Sequence, residues 1–223
     1  MSVPPRAEDA RQPTPRIEPG RVTALVLAGG ASRRMGRDKI ALELEGRPLL
    51  AHALDACAEV AGERIVVGRE APPAGVAVSA ASLWIADDAA PASGSAAVER
   101  HGPLWALATG LARASGEVAL LVGGDMPSLR PIHEGRPQPL CSAWPVALAG
   151  AVTRLVEAGE RSPLDAARAL DAELLEPAAY AKADPRGDSF LDVDTPQALA
   201  DARRLLTAPH DGREGRAGTA RGR

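Results

Sequence analysis

The run from Val22 to Lys39, VTALVLAGGASRRMGRDK, constrains this chain more than any other stretch. Val22 to Leu27 is a short apolar run closed by turn residues, the pattern of an interior parallel strand. Gly29 and Gly30 follow it, and with no Cβ they let an anion approach backbone N–H groups gathered in one concavity. Arg33, Arg34 and Lys39 then place three cations within a few residues of that turn. The chemistry implied is a grip on phosphates.

Two familiar phosphate loops are excluded. A Walker A loop needs Gly-Lys-Ser/Thr after its last glycine, whereas Gly36 is followed by Arg37, Asp38 and Lys39. A dinucleotide fingerprint needs Gly-x-Gly-x-x-Gly, whereas here two glycines are adjacent and the next lies six residues on. What remains is a strand that opens into a cationic glycine loop of another kind.

A carboxylate belongs with such a loop. Val118 to Val122 is a second all-apolar strand, and it closes on Gly123, Gly124 and Asp125. In a parallel sheet Asp125 would share the loop's end of the sheet. There it can hold Mg²⁺, which takes oxygen ligands and keeps waters beside substrate phosphates. Lys39, Arg34 and Asp125 are therefore the candidate catalytic residues, with Asp125 the main metal ligand.

Between these landmarks, apolar runs alternate with amphipathic segments. Leu49, Leu50, Ala53, Leu54, Cys57 and Val60 follow helical spacing, and Arg64 to Val67 reads as a strand. Ser82 to Ala86 is a third strand, ending at Asp87 and Asp88. Pro103 to Ala114 is a helix with Leu104, Leu107, Ala108 and Leu111 on one stripe. Val146 to Ala158 is a helix with Ala149, Val152, Leu155 and Val156 inward. Ser162-Pro163 and Thr195-Pro196 each pair a capping hydroxyl with proline at the first helical position. Ala89 to Arg100 is small and polar and reads as a mobile loop. The alternation predicts an α/β fold: a three-layer, Rossmann-like, mostly parallel sheet with helices on both faces and ligands at the strands' carboxyl ends.

Composition sets the outer bounds. The chain has 223 residues, and Pro-rich residues 1–20 and Gly/Arg-rich residues 208–223 read as disordered tails around one domain at 21–207. Net charge is −3 with both signs interspersed, which leaves no footprint for nucleic acid or an anionic membrane and favours a small anionic ligand. Cys57 and Cys141 form no Cys-x-x-Cys pair and read as reduced packing residues. With no apolar run near the ~20 residues a membrane span needs, and no secretory signal, a cytoplasmic protein is expected.

The signature Leu27-Ala28-Gly29-Gly30-x-Ser-x-Arg34-Met-Gly-x-Asp38-Lys39, followed by Leu42, Gly46, Pro48 and Leu49, resembles that of molybdenum cofactor guanylyltransferases. The resemblance continues in pieces through Gly102-Pro103-Leu104, Gly123 to Pro127, Arg136 to Cys141 and Phe190 to Pro196. It implies transfer of GMP from GTP to molybdopterin with Mg²⁺ and release of pyrophosphate, and, as a further partner class, carrier proteins of that cofactor. It also implies nucleotide binding by Leu27, Ala28, Gly29, Gly30, Lys39, Asp87 and Asp125. Asp88 competes with Asp87 by one register position, and a solvated acidic turn stays open for both. Asp192 and Asp194 alternate to one side of a strand, so they could assist a second metal or the pterin; helix capping is the other reading of Asp194. Cytidylyl or other nucleotidyl transfer to a different phosphorylated acceptor remains an alternative, as does a non-catalytic nucleotide-binding relative.

One interval departs from the resemblance. Twelve residues separate Asp125 from Gln138, where similar enzymes usually hold a helix and a further strand. A crossover with its helix needs at least ~10–12 residues by itself. The chain is therefore expected to lack one α/β unit or to bridge it differently, with its acceptor side less complete than its nucleotide side.

Overall fold

The computed structural model describes residues 17–29, 38–73, 76–78, 82–86, 102–126, 132–133, 136–137, 140–175, 178, 193 and 195–207. In chain order the strands are β1 (Val22–Leu27), β2 (Glu43–Leu44), β3 (Arg47–Pro48), β4 (Glu63–Val67), β5 (Ser82–Ile85), β6 (Val118–Gly123), β7 (Ile132–His133), β8 (Arg136–Pro137) and β9 (Cys141–Pro145). The helices are α1 (Leu49–Ala58), α2 (Gly102–Leu111), α3 (Ala149–Glu157), α4 (Pro163–Ala169) and α5 (Pro196–Thr207).

The main sheet has the order β5-β4-β1-β6-β9. β5, β4, β1 and β6 are parallel, and β9 runs antiparallel to β6. The chain steps outward from β1 to β4 and β5, then returns to the other side of β1 with β6. That reversal is a topological switch point, and open α/β sheets take their ligands in the crevice it leaves at the strands' carboxyl ends. The register Leu27↔Val67 and Leu27↔Gly123 brings the ends of β4, β1 and β6 level. The loops that follow all three therefore leave from one rim.

Alternation along β1 divides its side chains between two cores. Leu25 packs with Ile65, Leu104, Leu107 and Val152 beneath α2, α3 and α4, while Ala24 and Val26 pack with Leu50, Leu54 and Val66 beneath α1. This is the three-layer arrangement expected from the sequence. Helix starts follow their local chemistry: the Ser162 hydroxyl accepts from Asp165 N–H, and that of Thr195 accepts from Ala198 N–H. The helix expected from Val146 opens as a 3-10 turn, Val146–Leu148, before α3 begins. The tail boundary drawn at residue 20 falls inside another 3-10 turn, Pro19–Arg21, where Pro19 C=O accepts from Gly62 N–H.

A third cluster joins the two ends of the domain. Leu42, Leu44 and Leu49 pack with Val193, Leu199 and Ala202, so α5 lies over the β2–β3 hairpin and the start of α1. Arg203 donates to the Glu43 carbonyl at 3.1 Å across that contact.

Among the described residues between Asp125 and Gln138 there is only the β7–β8 hairpin, and β9 then pairs antiparallel with β6. An antiparallel return needs a turn rather than a helical crossover, which is why so few residues suffice. Ala56, Val60, Leu120, Cys141 and Ala143 border, together with Leu164 and Ala167 of α4 and residues 170–175, a trough of about 600 Å³. Burial pushes the Cys57 thiol up to about 11, Arg64 acting weakly against it, and the Cys141 thiol up to about 12, consistent with two packing thiols.

Candidate active site

The site is built at the rim where β1 and β6 end. The Gly124 N–H donates to the Leu27 carbonyl at 2.9 Å, which carries the β1–β6 ladder one residue past the strands. A Cβ on Gly124 would lie 2.8 Å from that carbonyl oxygen and 3.4 Å from Cγ2 of Ile40, so glycine is required for the approach. Met126 then turns the chain, donating its N–H to the Gly123 carbonyl at 3.1 Å while its own side chain is buried. Asp125, between these anchors, keeps its carboxylate at the partly exposed rim.

Lys39 arrives from the other side. It opens a 3-10 turn, Lys39–Ala41, whose Ile40 is buried in the cluster beneath α1. Burying a side chain of that size contributes about 1.5–3 kcal/mol. With Ile40 fixed against Gly124, the neighbouring Lys39 reaches Asp125, Nζ to Oδ2 at 3.4 Å. Both side chains are mostly withdrawn from solvent, at 19% and 24% exposure, so screening by water is reduced. Two residues picked out separately in the sequence thus form one pair at the switch point.

Leu27, Ala28 and Gly29 line the same rim. Ala28 is buried and Gly29 is exposed at the end of β1. The backbone of Val193 donates to the Asp125 carbonyl at 3.4 Å, so the segment before α5 passes beside the site. Gly30, Arg33, Arg34, Asp87, Asp88, Asp192 and Asp194 lie outside the described residues, as does the expected loop from Ala89 to Arg100.

Sequence reasoning passed over Arg69. It follows β4 by two residues, and its Nε donates to the Ala28 carbonyl at 2.8 Å while Nη2 lies 2.6 Å from Asp38 Oδ2. The signal available was its place at the carboxyl end of a central parallel strand, the same criterion that picked out Asp125.

For a divalent cation, the Asp125 carboxylate is the described donor of the right kind. A hard oxygen beside a phosphate loop suits Mg²⁺, which needs one or two carboxylates and completes its shell with water and phosphate oxygens. Among the described residues no group of three or more His, Cys, Asp or Glu is placed to hold a metal by itself.

Fold, switch-point rim and paired cation and carboxylate together define a doubly wound α/β protein that takes its ligand where β1 and β6 end. Residues 24–202 match the family described as the MobA-like NTP transferase domain, and the chain belongs to that family. It is 31% identical over 199 residues to the molybdenum cofactor guanylyltransferase of Cereibacter sphaeroides, covering 83% of this chain and 97% of the relative. It is 35% identical over 193 residues to the enzyme of that name from Pseudomonas aeruginosa, covering 81% and 94%. Among solved structures, molybdopterin-guanine dinucleotide biosynthesis protein A from Archaeoglobus fulgidus superposes with a TM-score of 0.60 at 19% identity, covering 82% of this chain and 98% of that one. The 2-C-methyl-D-erythritol 4-phosphate cytidylyltransferase of Thermus thermophilus superposes with a TM-score of 0.52 at 19% identity, covering 85% and 98%. At those identities the likeness concerns the fold alone. No helix among the described residues is long and apolar enough to cross a membrane.

Proposed function

We propose that this chain transfers GMP from GTP to molybdopterin, releasing pyrophosphate, as a Mg²⁺-dependent cytoplasmic enzyme that exchanges its pterin with carrier proteins of the molybdenum cofactor. The observation that carries the reading is the Lys39–Asp125 pair at the β1/β6 switch point. The names of the relatives supply the base and the acceptor.

In this reaction a phosphate oxygen of the acceptor attacks the α-phosphorus of GTP. The bond from that phosphorus to the α–β bridging oxygen breaks, and pyrophosphate leaves. No covalent enzyme intermediate is needed, so the work is positioning and charge stabilisation. Lys39 supplies a compact positive charge for the triphosphate. Asp125 would hold Mg²⁺, which supplies charge neutralisation to the phosphates when bound. Arg34, Gly30 and Asp87 belong to the proposed nucleotide site, and Asp194 to the proposed metal site, on the resemblance alone.

A second reading keeps the donor chemistry but changes the acceptor. It is favoured by the connection after Met126, where a β-hairpin stands in place of the helix and strand expected from the resemblance. One assay separates the two. Pyrophosphate release is followed with each of the four nucleoside triphosphates and Mg²⁺, with and without molybdopterin. Release that needs both GTP and molybdopterin supports the first reading. GTP binding without turnover on molybdopterin supports the second, and no nucleotide binding overturns both.

A further inference from the structure

The carboxyl end of β4 grips the phosphate loop at both of its ends. Ala28, the residue before Gly29, has both backbone polar groups tied there: its N–H donates to the Val67 carbonyl at 2.8 Å, and its carbonyl accepts from Arg69 Nε at 2.8 Å. The same guanidinium extends Nη2 to Asp38 Oδ2 at 2.6 Å. Ala28 and Asp38 flank the loop on its two sides, and Lys39 follows Asp38 directly. One side chain thus bridges the loop's entry to its exit.

Arg69 is itself held firmly. Gly68 takes a left-handed φ of 105°, and the N–H groups of Gly68 and Arg69 both donate to the Ile85 carbonyl, at 2.8 and 3.3 Å. A Cβ on Gly68 would lie 2.7 Å from both N and Cα of Gly29, so the start of the loop rests directly on this corner. The Arg69 and Asp38 side chains are 28% and 29% exposed, more sheltered than an ordinary surface ion pair. A guanidinium suits the task because its planar fork serves two acceptors at once, whereas an ammonium has no such fork.

We propose that Arg69 is a positioning residue that clamps the loop between Ala28 and Asp38 and so fixes where Lys39 stands. It acts through the chain and does not touch the substrate. Asp38 serves as the clamp's anchor and not as a metal ligand. The effect on nucleotide rests on the reading of Lys39 given above, whereas the effect on the loop does not.

The test uses the full chain with R69A, R69K, D38N and the double variant R69A/D38N, and two readouts. The first is amide exchange, without nucleotide, in peptides that contain Ala28–Gly29 and Asp38–Ile40. R69A and D38N should both speed exchange there while leaving β6 unchanged, and R69K should fall between wild type and R69A. The second is GTP affinity, which should weaken about tenfold in R69A, as for the loss of one charge-assisted pair. D38N should reproduce most of that loss, and the double variant should be no worse than R69A, because both substitutions open one clamp. Unchanged exchange in R69A overturns the proposal. So does a D38N variant with wild-type affinity, or an additive double variant, since either would mean that Arg69 meets phosphate itself. If R69A fails to fold, D38N decides alone, and unchanged exchange there is fatal. Faster exchange in a chain whose wild type binds no nucleotide leaves the clamp standing and removes the functional reading instead.

Discussion

Lys39 Nζ and Asp125 Oδ2 lie 3.4 Å apart across 86 residues of chain, and the contact exists because Ile40 rests on Gly124. The cation of the loop and the carboxylate after β6 therefore form one charge-balanced unit before any substrate arrives. On the proposed function, Lys39 would turn to the triphosphate and Asp125 would hold the cation, so that each keeps an ionic partner. Exchange of one ionic partner for another costs less than burying either charge alone.

Lys39→Ala should weaken GTP binding by tenfold to a hundredfold, since hydrogen bonds to charged groups contribute about 1.5–3 kcal/mol. Transfer should fall at least as far. Thermal stability should change far less than affinity, because Ile40 and not Lys39 anchors this turn in the core. Nucleotide titration beside a melting curve checks both halves, and unchanged affinity would remove Lys39 from the site.

Asp125→Asn keeps the shape of the side chain and removes the charge that a hard cation needs. Transfer should drop by about a hundredfold or more, in the range seen when one preorganised electrostatic group is lost. Raising Mg²⁺ should restore only part of it. Wild-type turnover at low Mg²⁺ would reduce Asp125 to a turn residue.

Much of this was legible in the sequence, for identifiable reasons. β1 and β6 are apolar runs ended by glycines, with Thr23 the one polar residue, so their burial and ends could be read from the residue pattern, and their direction from the alternation with helices. Lys39 and Asp125, which the structure brings within 3.4 Å, could be singled out because residues at the carboxyl ends of parallel strands are legible strand by strand. Arg69 was not found, because its role depends on the register Leu27↔Val67 that sets the ends of β1 and β4 side by side. The direction of β9 was equally silent. Cys141 to Pro145 alternates in the same way whichever way it runs, and only pairing with β6 decides it.

Gly124→Ala tests the close approach that brings the pair together. The new methyl would stand 2.8 Å from the Leu27 carbonyl oxygen, a rigid backbone atom, and 3.2 Å from Leu50 Cδ1. Overpacking of this kind costs about 1–3 kcal/mol. Activity should fall further than stability predicts, because relief of the clash moves Asp125 away from Ile40 and Lys39. Denaturant melts compared with turnover well below the melting range check this, and a variant with wild-type stability would show that the rim is looser than its distances imply.

A network at the opposite end of the sheet should make stability fall in acid. Thr23, fully buried, donates its hydroxyl to Glu63 Oε2 at 2.6 Å and accepts from Gly116 N–H at 3.1 Å, and Ser115 N–H donates to the same carboxylate oxygen at 2.8 Å. Burial by itself would raise the Glu63 carboxyl, but the Ser115 N–H and Thr23 hydroxyl outweigh it and hold the group below its ordinary value of 4.5. A carboxyl lowered on folding adds stability that is fully present above the unfolded value. That stability fades as pH falls through the folded one. Glu63→Gln should therefore be less stable than wild type at pH 7, by about 1–2 kcal/mol for the charged hydrogen bonds weakened. Its stability should then decline less steeply below pH 4.5, so that the two proteins converge in acid. Denaturant unfolding at a series of pH values measures the gap directly. A gap that stays constant from neutral pH into acid would mean that the Glu63 charge contributes nothing, and that the network is held by the Thr23 hydroxyl and the backbone alone.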